Sequence, residues 1–312
     1  MKKQALKAMF KILKDTKDVG KLPPKVAFKL FDSLVLPILE YGSDIWFCNE
    51  EIPEIERVHT KFIKIILGVH KNASNLAIYG ETGRYPLIVR QKVKALKYWA
   101  KVVSQPESSI IKKVYNTLLN LSNGGLKNWV SNIELMLVKA GFQDIWTKQE
   151  CPKIDVNCFK KAVQDKYAYV WLKETQKVNS KLRTYCTFKQ TFNLEAYLLE
   201  VTDYKLRKCL TKFRISNHCL AIEKGRHESI PIEARTCPHC TNVVEDEFHV
   251  LMQCPSYDLG RSRLFKIREE QNLVNNFISI MSCKKSCFYL AKYLYQMYKT
   301  RQLLISEDRP ID

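Results

Sequence analysis

The sequence has little glycine, few acidic residues and no long apolar run. Glycine occurs only 10 times in 312 residues, which argues against a β-rich fold full of tight turns. No stretch of about 18 consecutive apolar residues occurs, so no membrane-spanning helix is expected. The N-terminal MKKQALKAMFKILKDTKDVGK is basic but has no uninterrupted apolar segment, so no secretory signal is expected there. No adjacent Asp-Asp pair is found, which removes the carboxylate pair of a polymerase metal site. The G-x-x-x-x-G-K-[ST], G-x-G-x-x-G, H-E-x-x-H and G-x-S-x-G patterns are missing too, and His59, His70, His218 and His227 have no nucleophile beside them. No active site is expected, and no small-molecule substrate.

Acidic residues number 32 against 51 Lys and Arg, leaving a net charge of +19. An imbalance this large points to a polyanionic partner, with nucleic acid first and an anionic membrane surface second. The chain is 46% hydrophobic and 27% charged. That is a globular composition, sufficient for one large or two to three ordinary domains. The 11 cysteines, an odd number, suit a reducing compartment, hence an intracellular protein of nucleus or cytoplasm.

Helix punctuation is dense. Residues 21–41 carry Pro24 near a first turn and an interior Pro37 that should kink or split the helix. Residues 53–67 open on Pro53, close at Gly68, and place Ile55, Val58, Phe62, Ile65 and Ile66 at helical spacing. A short helix from Asn75, capped by Ser74, should end at Gly83. Within 86–103, Val89, Val93, Leu96, Ala100 and Val103 form one apolar stripe. Arg90, Lys94, Lys97 and Lys101 repeat the same steps one residue later, a basic stripe about 100° around the helix. Such a stripe is either a solvated flank or a row of phosphate contacts. SQPESS and LSNGGLKN read as a boundary or as exposed loops. More helices follow over 129–171, with Trp129, Trp146 and Trp171 as core anchors. A basic helix is expected over 193–220, dense in Lys205, Arg207, Lys208, Lys212 and Arg214, and a last helix over 283–305.

One stretch carries recognisable ligand chemistry. CPHCTNVVEDEFHVLMQC presents Cys237, Cys240, His249 and Cys254 in a Cys-x2-Cys-x8-His-x4-Cys spacing. Cys-x2-Cys brings two thiolates from one turn to one ion, and Pro238 stiffens that turn. Three sulfurs and one imidazole close a tetrahedron, which is the donor set of structural rather than catalytic Zn2+. Residues five apart on a straight helix lie about 140° apart, so His249 and Cys254 need a break between them. Pro255 supplies one by pushing Cys254 out of the α region. Glu245, Asp246 and Glu247 would then occupy the helix's first turn, where negative charge is favoured. Val250 and Leu251 would point into whatever the segment packs on. His239 and His227 are competing ligands, and a chance clustering of cysteines is the bland alternative.

Three stretches in order resemble the C-terminal part of reverse transcriptases from LINE-type (non-LTR) retrotransposons. LVLPILEYGSDIW with IERVHTKFIKIILGV looks like that family's thumb, and YGETGRYPLIVRQKVKALKYWAKVV like its continuation. LTKFRISNHCLAIEKGRH leading into the cysteine–histidine stretch and CPSY is similar to its zinc-binding end; residues 105–180 match least. The resemblance implies that the family's endonuclease, fingers and palm would lie before Met1, so its catalytic residues have no counterpart here. It implies zinc ligation by Cys237, Cys240, His249 and Cys254, and template or target-DNA contact by the basic helices.

The expectation is therefore an all-α, multi-helix bundle with a small C-terminal zinc-knuckle segment. It divides into a thumb-like bundle over 1–105, a middle helical region over 106–192, and a basic helix, zinc knuckle and C-terminal helix over 193–312. The expected function is non-catalytic binding of RNA or single-stranded DNA through Arg90, Lys94, Lys97, Lys101, Lys205, Lys208, Lys212 and Arg214, as a retrotransposon remnant. A helical protein-interaction scaffold, or a transposon fragment without function, are the alternatives.

Overall fold

The computed structural model describes residues 1–16, 22–46, 50–177, 180–240, 242–264, 273–284 and 286–307. The fold is all-α: among the described residues the regular structure is helical, and extended pairing is limited to the isolated bridges Thr82–Leu194 and Thr236–Val244. None of these helices is long and apolar enough to cross a membrane.

Local sequence explains most boundaries. Pro37 splits its segment into Pro24–Leu34 and Leu36–Leu39, with the proline in the first turn of the second piece; Lys21, the expected start, lies outside the described residues. Pro53–Leu67 runs from its proline to Gly68 at φ +68°. Asn75–Thr82 ends on Gly83 at φ +60°, where a Cβ would sit 2.6 Å from the Leu194 nitrogen. Asn128 caps Trp129–Ala140 through a reciprocal capping box with Ser131. The expected single helix over 193–220 is instead two, Tyr197–Glu200 and Tyr204–Arg214. Val201 is extended, and Asp203 accepts the Leu206 N–H, so a side-chain cap restarts the helix.

The chain forms two compact units, each assembled from stretches that are separate in sequence. The first comprises Met1–Ile12, Leu30–His59 and Tyr85–Trp171. Its core is apolar and aromatic. Leu96, Trp99 and Val102 from Leu87–Val103 pack with Val130, Ile133 and Leu137 from Trp129–Ala140, and with Phe159 from Lys153–Thr175. The buried Trp99 stacks on Trp146 and donates its indole N–H to the Tyr115 hydroxyl at 3.1 Å. Of the expected anchors, Trp171 is buried, whereas Trp129 and Trp146 flank the cluster. His59 is a packing histidine, bonded to Glu56 at 2.8 Å and stacked on Phe31.

The second unit comprises Leu13–Lys29, Thr60–Arg84 and Leu172–Asp312. Charge is built into its interior. Arg214 is 3% exposed and makes a fork to the buried Glu81, with Nε and Nη2 at 2.8 and 3.0 Å, and reaches Glu195 at 2.9 Å. Its guanidinium also lies over Phe188 and Tyr197. Lys189, equally buried, donates to Asn193 and Glu195. Such a network is tolerated inside because each charge has both an opposite charge and hydrogen-bond partners.

Candidate metal centre

Cys237, Cys240, His249 and Cys254, all in the second unit, converge with one donor atom from each lying within 4.8 Å of the others. The four residues are thus positioned to hold a metal ion. His239 and His227 are not in the cluster.

The backbone builds this in two arms. The first is a short ribbon: Thr236 bridges Val244, the Cys237 N–H donates to Val243 at 2.7 Å, and Glu245 N–H to Arg235 at 2.9 Å. At its tip the N–H groups of His239 and Cys240 point at the Cys237 sulfur and favour its thiolate. The second arm begins where Asp246 caps the His249 N–H at 2.7 Å. From there His249–Gln253 is a single π turn, closed by the Cys254 N–H on the His249 carbonyl at 2.8 Å. An i→i+5 turn brings residues five apart onto neighbouring positions, so the π turn removes the conflict that an α-helix would create. Cys254 itself is extended, φ −62° and ψ 119°, as its following proline requires. Both devices act together, and sequence reasoning found only the second.

The electrostatics suit a cation. Burial, first, raises the thiols of Cys237, Cys240 and Cys254, and crowding among the sulfurs adds to it. Burial also lowers His249, a residue 4% exposed whose ring nitrogens make no hydrogen bond of good geometry, with the Gln253 side chain as their near neighbour. Left alone, an unpartnered buried imidazole is costly; a bound cation turns the same four groups into three thiolates and a neutral donor. Arg261 donates to the carbonyls of Leu251 and Cys254 at 2.9 and 2.8 Å and so ties down the end of the π turn.

The acidic run has a different role from the one expected. Only Asp246 serves the helix start. Glu245 forks to Arg301 at 2.6 Å on each oxygen and accepts the Ala221 N–H. Glu247 is buried against Arg183, His218, Ser216 and Thr184. Burial alone would raise its carboxyl, but His218, Arg183 and Ser216 outweigh that and hold it at about 2. Val250 and Leu251 are fully buried, and the Val250 carbonyl accepts from Tyr293 of the Cys287–Glu307 helix at 2.9 Å. That helix packs along Tyr204–Arg214, so the metal segment braces the basic helix through Tyr293 and Arg301. Sequence reasoning missed Arg261, Tyr293 and Arg301, which carry no local motif.

The expected nucleic-acid residues divide sharply. Arg214 is withdrawn from that set because it lies inside the second unit on Glu81 and Glu195. On the Leu87–Val103 stripe, Arg90 and Lys94 both meet Glu40, a buried acid from another segment, with Arg90 Nε at 3.1 Å. Lys97 and Lys101 are exposed. Lys205, Lys208 and Lys212 fall on one face of their helix at i, i+3 and i+7, and line an open pocket with His70, Tyr295 and Lys299.

No family model, no curated protein and no solved structure matches this chain.

Proposed function

We propose that the chain is a non-catalytic binder of RNA or single-stranded DNA, carrying one structural zinc ion, and that it derives from the C-terminal part of a LINE-type reverse transcriptase. Zinc is favoured by the donor set: three sulfurs and one imidazole suit a closed tetrahedral site. Sulfurs bound at about 2.3 Å on a tetrahedron stand about 3.8 Å apart, and the Cys240 and Cys254 sulfurs are 3.7 Å apart. A disulfide would need about 2 Å. With four protein ligands no position is left for a reacting water, so the ion's contribution is to folding.

The observation that carries the binding role is how the Tyr204–Arg214 helix sorts its cations. Arg207 and Arg214 are buried, while Lys205, Lys208 and Lys212 face outward together on the element that the metal segment braces. Three lysines so arranged hold phosphates electrostatically and without sequence preference. The net charge of +19 and the order of the three family-like stretches support the same reading. Labelled single-stranded RNA titrated at several salt concentrations tests it. Each lost phosphate contact flattens the log–log slope by about 0.7, so Lys205→Gln, Lys208→Gln and Lys212→Gln together should flatten it by about 2. A salt-independent affinity would overturn the reading. No nucleotide incorporation on a primed template with Mg2+ is expected.

A second reading, a protein-interaction scaffold, is favoured by one feature of the first unit. Exposed Ile45, Ile110, Ile111 and Val114 line an apolar groove floored by Tyr98 and Trp129. Salt dependence separates the two readings.

A further inference from the structure

The pocket beside the Tyr204–Arg214 helix is more specific than a basic patch needs to be. Its volume is about 790 Å³, within the ~300–1,000 Å³ usual for small organic ligands, although it is open to solvent. Four lysines line it, Lys205, Lys208, Lys212 and Lys299, and among the described residues no carboxylate does. Burial, and then the charge of Lys208, lower the Lys212 ammonium, as expected for cations facing each other with no anion between them. Two lining residues pack closely on Gly68 at φ +68°, where a Cβ would fall 2.7 Å from the Tyr204 hydroxyl and 3.0 Å from Lys208 Cδ.

Aromatic groups complete the lining. Tyr204 lies under the Lys208 ammonium at 5.8 Å, and Tyr295 under that of Lys299 at 4.8 Å. Tyr298 contributes a buried hydroxyl without a hydrogen-bond partner. A buried orphan hydroxyl is unfavourable in a closed core, and a ligand acceptor in the pocket would satisfy it. Lys205 and Tyr295 are shared with an adjoining pocket that adds Lys292 and also Asp203, so the lining continues along the helix but without an unbroken row of cations.

We infer that this pocket receives one unstacked nucleotide of a single strand, with its phosphate on Lys208 and Lys212 and its base against the tyrosine faces. The inference rests on the nucleic-acid reading above and names its site. Lysines alone would suit any polyanion. Tyrosine faces add stacking, which every base supplies and a duplex withholds. The unpartnered Tyr298 hydroxyl adds a hydrogen-bond donor.

The test uses the full zinc-loaded chain with four probes: AMP, adenosine, inorganic phosphate, and a labelled twelve-nucleotide oligouridine. AMP should bind at least tenfold more tightly than adenosine or phosphate. Tyr298→Phe should weaken AMP about tenfold while leaving the melting temperature unchanged or raised, because that hydroxyl has no protein partner. Lys208→Gln with Lys212→Gln should abolish AMP binding and weaken the oligouridine. If the oligouridine binds but AMP does not, and the pocket variants leave its affinity unchanged, the pocket assignment falls and the nucleic-acid reading stands. If AMP binds but the oligouridine does not, the pocket is a nucleotide site and the nucleic-acid reading falls. Phosphate binding as tightly as AMP would reduce the pocket to a simple anion site and overturn the inference.

Discussion

The two units hold themselves together by different means. The first relies mainly on Trp99, Phe159 and aliphatic neighbours in a continuous apolar cluster, with Glu40 and Glu56 as buried acids outside it. The second buries Glu81, Arg214, Lys189, Glu223, Glu245, Glu247 and Arg261 and adds a cluster of three cysteines and one histidine that could hold a metal ion. An apolar core degrades gradually as its volume is trimmed, whereas a charge network or metal site fails when one member is lost. The basic pocket belongs to the second unit, so the surface proposed to bind rests on the more brittle construction. All five tryptophans, at 46, 99, 129, 146 and 171, fall in the first unit. Tryptophan fluorescence therefore reports on that unit alone.

The largest effect should come from the metal ligands. Structural zinc contributes on the order of 10 kcal/mol to folding at neutral pH. Cys254→Ser should take the zinc content from one per chain to near zero and unfold the second unit, read by circular dichroism and metal analysis. His239→Ala should keep the ion; loss of zinc there but not in His249→Ala would reverse the ligand assignment.

Next is Arg214→Met, which strands Glu81 as a buried charge at a cost of about 3–5 kcal/mol. Adding Glu81→Leu should restore much of that stability, and urea unfolding measures both. A loss below about 1 kcal/mol would mean the network is far more hydrated than it looks. Trp99→Ala, the matching lesion in the first unit, should cost about 3–5 kcal/mol while leaving zinc content intact. Equal loss of zinc would dissolve the distinction between the units.

Acid should separate them more mildly. Glu247 is held at about 2 against an ordinary 4.5, and Glu81 is likewise held down by Arg214 and Lys189 against its burial. A depressed carboxyl contributes stability above its unfolded value, and that contribution is lost as pH falls toward the folded value. Between pH 4.5 and about 2 the second unit should therefore lose stability, and Glu81→Gln should make that loss shallower. Circular dichroism follows the transition, with tryptophan fluorescence as the control. The smallest effect is on the other basic stripe: Lys97→Gln with Lys101→Gln should flatten the RNA salt slope by at most about 1.4, or 0.7 each.

The difference between the units is also a difference in legibility. Proline and glycine punctuation reveals helices such as Pro53–Leu67 and Asn75–Thr82 in the bare sequence, because those signals are local. The four residues of the cysteine–histidine cluster are legible for the same reason, as thiols and an imidazole at fixed spacing. The His-x4-Cys interval even matched a π turn, since it is one i→i+5 step. The interior position of Arg214 is not legible in the sequence because its partner Glu81 lies 133 residues earlier, and no local pattern distinguishes an arginine bound for the interior from one bound for solvent. The break at 201–203 was hidden by continuous helical periodicity on either side of Asp203. Glu40, which engages Arg90 and Lys94, was likewise out of local view.

Hydrogen exchange of the full chain with and without a zinc chelator tests the central claim most directly, that a metal in the Cys237–Cys240–His249–Cys254 cluster maintains the helix carrying Lys205, Lys208 and Lys212. On chelation, amides of Tyr204–Arg214 and His249–Gln253 should exchange much faster. Those of Leu87–Val103 and Trp129–Ala140 should keep their protection. Unchanged protection over Tyr204–Arg214 after verified metal removal would contradict the account.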